Sequence, residues 1–140
     1  MALVQDGIGA MIALLKADAT ISALLSTRVY GLELPRADSD SMPRKAIVIN
    51  SAGGIGESSY RDVFKYRLDF VCYGETPFEA YEVFRTVRAV LREIERGVTS
   101  STFIYSADHS AGPFSFRDSD TKWPHTIDTW LIKVQDTIVS

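Results

Sequence analysis

Arg61-Asp62-Val63-Phe64-Lys65-Tyr66-Arg67-Leu68-Asp69-Phe70-Val71-Cys72-Tyr73-Gly74-Glu75-Thr76-Pro77-Phe78-Glu79 is the stretch whose reading decides the fold. Phe64, Tyr66, Leu68, Phe70 and Cys72 alternate with Lys65, Arg67 and Asp69, the period of two expected of a half-buried strand. Gly74 breaks the run. Thr76, Pro77 and Glu79 then open a helix, with Thr76 as cap, Pro77 at the first position and Glu79 completing a capping box. Phe78, Tyr81, Phe84, Val87, Leu91 and Ile94 follow at three- and four-residue steps and form the expected buried stripe, with Gly97 placed to end the helix.

Working back towards the N-terminus, Val4, Ile8, Met11, Ile12 and Leu15 predict a helix ending near Lys16. Asp18 or Thr20 can cap a second, short helix carrying Ile21, Leu24 and Leu25. Arg28 to Pro35 reads as extended, and Arg36 to Arg44 as an exposed polar loop. Lys45 to Asn50 is a short strand, apolar on both faces and hence central. The glycine-rich Ser51–Ser59 segment leads into a strand and carries no suitably placed lysine, so it reads as a hairpin tip and not a phosphate loop.

Beyond the helix, Ser101–Ser106 is a candidate strand, Ala107–Pro113 a turn, Phe114–Arg117 a short strand and Asp118–Lys122 a polar turn. Thr126–Val134 is a strong strand with Trp130, Ile132 and Val134 on one face, and Trp123-Pro124 just before it can anchor the preceding loop on the core. The expected class is α+β: a mostly antiparallel or mixed sheet packed against one long central helix and N-terminal helices, with an extended β-hairpin.

A chain of 140 residues suits a single domain spanning 1–140. A formal net charge of −3 gives no reason to expect tight nucleic-acid binding. Cys72 is the one cysteine, so no internal disulfide can form and a reducing compartment is expected. No apolar run is long enough to span a bilayer, and the first residues lack the basic start of a secretory signal. The two histidines, His109 and His125, fall in no metal-ligand spacing, and no serine has the setting of a nucleophile elbow. A carboxylate pair formed in space stays open, but no nucleophile, base and electrophile can be named together, so neither an enzyme nor a cofactor is expected.

The order of features carries further information. Leu24-Leu25, Arg28-Val29-Tyr30-Gly31, Pro35, Met42 to Ile49, the Tyr73-Gly74-x-Thr76-Pro77 corner with its long helix, Trp123-Pro124 and the strand through Trp130 follow one another over nearly the whole chain. This order resembles the tail-completion or tail-terminator proteins of long-tailed bacteriophages and related prophages. The resemblance implies a homo-hexameric ring that caps the tail tube, ends its polymerisation and docks onto the head connector. The tail tube protein and a head-tail connector or neck protein are the implied partners. It further implies that DNA passes through the channel without specific binding, that no membrane is involved, and that the place of action is the virion tail or neck. Another neck component, such as a stopper or head-completion protein, is the runner-up; a small ligand-binding or enzymatic domain is the third reading.

A ring needs two different patches per subunit. Exposed loops and turns supply the candidates: Arg36, Asp38, Asp40 and Arg44; Ile55, Glu57 and Tyr60 near the hairpin tip; and Asp118, Asp120 and Lys122. Arg85, Arg88 and Arg92 recur along one side of the central helix and are a further candidate surface for ion pairs within or between subunits.

Overall fold

A computed structural model describes residues 2–3, 7–35, 42–56, 63–95, 104–135 and 137–138. In chain order the elements are β1 (Ala2–Leu3), α1 (Gly7–Ala17), α2 (Ala19–Leu25), β2 (Val29–Gly31), β3 (Ala46–Gly56), β4 (Val63–Tyr73), α3 (Pro77–Glu95), β5 (Ile104–Arg117), β6 (Pro124–Gln135) and β7 (Thr137–Ile138). Five strands form one mixed sheet in the order β2-β3-β4-β6-β5, and β1 pairs with β7 as a separate ribbon. The sheet is antiparallel except where β2 runs parallel to β3. Val4, Gly97 and the Ser101–Phe103 part of the expected strand lie outside the described residues.

The period-two reading holds at the centre. Leu68, Phe70 and Cys72 on β4 are fully buried, as are Trp130 and Ile132 on β6 and Ile47 and Ile49 on β3. They share one face and pack in one cluster with Met11, Leu15, Ile21 and Leu25 from α1 and α2, and with Val83, Phe84, Val87, Leu91 and Ile94 from α3. At roughly 1.5–3 kcal/mol for each fully buried large apolar side chain, this cluster is the main source of stability. The three helices among the described residues therefore lie on the front of the sheet.

Two features at helix starts follow from local chemistry. Asp18 caps α2, its Oδ1 accepting the Ile21 N–H at 3.0 Å. Thr76 Oγ1 accepts the Glu79 N–H at 3.2 Å, while the Glu79 carboxylate reaches back to the Glu75 N–H at 2.9 Å. The box thus closes one residue further back than its usual form.

Four expectations need correction. Phe78 and Tyr81 are not in the buried stripe: Phe78 is 88% exposed and Tyr81 44%, and Ala80 and Val83 lie inside instead. Three successive three-residue steps from Phe78 to Val87 span nine residues, which at about 100° each come to two and a half turns, so Phe78 points away from Val87. The short strand at Lys45–Asn50 extends to Gly56, and the glycine cluster is strand with a bulge between Ser51 and Gly54 rather than a tip. Ala107–Pro113 is not a turn, because β5 runs unbroken to Arg117, paired to β6 with register shifts at Ile104/Ser106, His109/Ala111 and Ala111/Phe114. The regular β6 partner holds the irregular segment in extended form. Trp123 is only partly buried and stands edge-on to Tyr73 at the end of the sheet.

Candidate interaction surfaces

On the helical side, α1 and α2 meet at a bend of 90° and leave a groove against α3. Its volume is about 610 Å³, within the range of binding clefts. Leu14, Ala17, Ala89 and Val90 supply an apolar floor, and Asp18, Glu82, Arg85 and Glu93 are the charged lining residues. Three carboxylates therefore face one guanidinium. Glu82 also pairs with Lys45 at 3.4 Å.

The arginine row on α3 separates by function of angle. Arg85 lines the groove. Arg88 leans the other way, its guanidinium carbon 5.9 Å from the centroid of the Trp130 ring, within cation–π range. Arg92 is exposed between them.

The back of the sheet has a different character. Tyr30, Val48, Val71, Ile127 and Phe114 are successive register partners, so one apolar row crosses all five strands on the face away from the helices. Val48 and Val71 are buried, whereas Phe114 is 56% exposed and Phe116, two residues on, 51%. Phe116 stacks edge-on against His125 with ring centroids 4.3 Å apart, and His125 in turn lies 5.6 Å from Tyr73. Burial raises the Tyr73 pKa, with a smaller push from the Asp118 charge. A notch of about 160 Å³ lies beside this cluster, lined by Pro77, Phe116, Arg117 and His125 among others.

The turn joining β5 to β6 contains Asp118, Asp120 and Lys122. Asp118 Oδ1 accepts the N–H groups of Thr121 and Asp120, each at 2.9 Å, and these bonds hold its carboxyl below the usual range. Lys122 adopts φ 62° and its Nζ donates to the Ser119 carbonyl at 2.8 Å. Arg117 Nη1 donates to the Lys122 carbonyl at 3.0 Å. This turn organises itself.

Arg44 sits at the foot of β3, and its charge, after burial, lowers the Arg28 pKa. Arg28 Nε donates to the Lys45 carbonyl at 2.6 Å. Ile55 has its backbone in β3 opposite Lys65. Arg36, Asp38, Asp40, Glu57 and Tyr60 lie outside the described residues. The candidates thus do not form one surface: Arg85 is on the groove side and the Asp118 turn is at the end of the sheet.

One constellation escaped sequence reading. Asp128 is almost fully buried on the front face, where its Oδ1 is 2.7 Å from His109 Nε2 and its Oδ2 accepts the Trp130 indole N–H at 2.6 Å. His109 also stands edge-on to the Trp130 ring. The bulges of β5 bring His109 into place, and Gly112 (φ 95°) allows the close approach. A Cβ there would come within 2.8 Å of the Ile127 carbonyl oxygen and 3.1 Å of Asp128 Oδ1. Asp128 and Trp130 are two apart and so share a face of a strand, which was the available clue. His109 was hidden by register shifts that no local pattern encodes. His125 does not join the cluster: it lies on the back face, Nδ1 3.3 Å from the Trp123 carbonyl. No group of three or more metal-ligating side chains occurs among the described residues. Burial, with the Asp128 charge adding to it, pushes the Cys72 thiol up, as befits a packing residue rather than a nucleophile.

Compared with known proteins, no family profile and no curated sequence matches the chain. Solved structures do. A chain from the virion of a native gene transfer agent particle superposes with a TM-score of 0.65 at 13% identity, covering 92% of this chain and 94% of that one. The gp17 protein of bacteriophage SPP1 superposes at 0.51 and 17%, covering 94% and 88%. At these identities the likeness establishes a shared fold over almost the full length.

Proposed function

We propose that this chain is a structural protein of a phage-type tail. It assembles as a homo-hexameric ring that caps the tail tube, ends its polymerisation and presents the docking surface for the head connector. The carrying observation is the fold shared over nearly the whole chain with a virion component of a gene transfer agent particle. The order of the Arg28-Val29-Tyr30-Gly31 segment, the Tyr73-Gly74-x-Thr76-Pro77 corner and the strand through Trp130 supports the same reading. A net charge of −3 suits a channel that must let DNA go, since each phosphate contact adds salt-dependent affinity. The role needs surfaces and no reaction chemistry.

The test is genetic and visual. Deleting the gene in its parent phage or prophage should give tails of abnormal length, restored by the wild-type gene, and the purified protein should cap tube ends in negative stain. Full-length tails joined to heads that leak DNA would transfer the chain to a head-closure role instead.

A further inference from the structure

We infer that neighbouring copies of this chain join edge to edge, residues 51–56 of β3 in one copy pairing antiparallel with residues 104–109 of β5 in the next. The inference rests on the ring reading and names the two different patches that a ring requires.

Both edges are open at the same end of the sheet. β2 covers the outer side of β3 only from Ile47 to Ile49, and among the described residues no strand pairs with that side from Ser51 to Gly56. β5 is the opposite edge strand. The registers set the two edges level: Ser51 lies opposite Leu68, Leu68 opposite Trp130, and Trp130 opposite His109. In the same way Gly54 is level with Ala107, through Tyr66 and Ile132, and Gly56 with Ile104, through Phe64 and Val134. Three antiparallel pairings separate β3 from β5, so the two run in opposite directions. Copies related by rotation about an axis along the strands therefore bring β5 against β3 in antiparallel sense and without a slip.

The hydrogen-bonding phase agrees. Ile47 N–H donates to the Arg28 carbonyl at 3.0 Å and the Ile49 carbonyl accepts the Leu32 N–H at 2.7 Å, so odd-numbered residues of β3 turn their backbone groups outward as far as Ser51. Across the bulge, where Ala52 and Gly53 stand opposite Arg67, the outward positions become Gly54 and Gly56. Carried over the sheet, the same alternation turns Ile104, Ala107 and His109 of β5 outward. The outward residues of one edge are thus the level partners of the outward residues of the other.

The sequence of both edges suits close pairing. Residues 51–56 read Ser-Ala-Gly-Gly-Ile-Gly and residues 104–107 Ile-Tyr-Ser-Ala. Neither run has a charge or a proline to blunt the edge, and glycine within a strand marks places where another backbone comes close. Pro113 and two register shifts of β5, at His109/Ala111 and Ala111/Phe114, come only beyond the paired run. Ala111 is level with Asn50, next to the last residue that β2 covers. Bulges bend a strand, so β5 leaves the shared edge where β2 occupies it.

Cysteine pairs in the full chain test this, with and without tube ends. Ile55 is level with Ser106 through Lys65 and Lys133. Within one copy the two are three strand spacings apart, roughly 14 Å, beyond the reach of a disulfide. Ile55→Cys with Ser106→Cys should therefore give, under mild oxidation, a ladder of covalent oligomers that reduction collapses. Either substitution alone should stay monomeric on the same gel, since Cys72 is buried. Dimers from Ile55→Cys alone would mean that two β3 edges meet, which overturns the proposal. Ser51→Pro removes an outward N–H and spares the bonds to β4, a place where an edge accepts proline. It should leave the circular dichroism unchanged and raise the concentration at half-assembly about tenfold; if it disturbs the fold, the ladder alone decides. Rings in negative stain without the ladder, or undisturbed assembly of a folded Ser51→Pro chain, overturn this contact while the ring reading stands. A wild-type chain that stays monomeric at every concentration and caps no tubes overturns both.

Discussion

Strand β6 has two neighbours, and they are held in opposite ways. Towards β4 it runs eleven register pairs, Val63↔Gln135 to Tyr73↔His125, without a shift. Towards β5 the register slips three times in fourteen residues. The β4 side is held by repetition, with apolar side chains stacked two by two beneath α3. The β5 side is held by particular atoms: the Asp128 carboxylate between His109 and Trp130, the close backbone approach that Gly112 permits, and the Ser115–Thr126 hydroxyl contact at 3.0 Å. Periodic packing tolerates local change, whereas a site built from single contacts fails when one of them is lost.

Substitutions can break or sharpen that contrast. The largest effect is expected from Trp130→Ala, which belongs to both sides. It empties the centre of the cluster and removes one donor to Asp128, so denaturant unfolding should show a loss of about 3–5 kcal/mol. Asp128→Ala comes next: leaving the buried indole N–H unsatisfied costs about 1–3 kcal/mol. The loss should concentrate in β5, seen as faster amide exchange there than in β4. Equal acceleration in both strands would sink the distinction between them.

Gly112→Ala forces a Cβ against the Ile127 carbonyl at a left-handed φ, for about 1–3 kcal/mol. The smallest effect concerns pH. The Asp118 pKa is depressed on folding, so its contribution is complete above the ordinary carboxylate value of about 3.9 and fades as pH falls through the lower folded value. Asp118→Asn should therefore unfold more easily than wild type at neutral pH, with the gap closing in acid. A gap that widens in acid would refute the assignment of these hydrogen bonds.

The same contrast explains what could be read in advance. Leu68, Phe70, Cys72, Trp130 and Ile132 were legible because a period of two is a property of neighbouring residues. The cap of α2 by Asp18 and the start of α3 at Pro77 were legible for the same reason: their chemistry is local. Phe78 departs from the stripe because three-residue steps accumulate rotation, which turns it away from Val87. β5 was illegible because Ser110, Gly112 and Pro113 look like a turn, and only a long regular partner makes them a strand. The groove and the exposed aromatics belong to a still later level, since they depend on how whole helices and strands sit together.

The corner at Gly74 carries a last consequence. A Cβ there would meet the Ala80 backbone nitrogen at 2.4 Å and the Glu79 Cβ at 2.6 Å, so the end of β4 and the first turn of α3 touch with no room to spare. Gly74 N–H also reaches the Pro124 carbonyl at the start of β6, at 3.4 Å. Any side chain at position 74 would therefore have to push α3 away from the end of the sheet, so the spacing of helix and sheet at this corner is set by the lack of a Cβ.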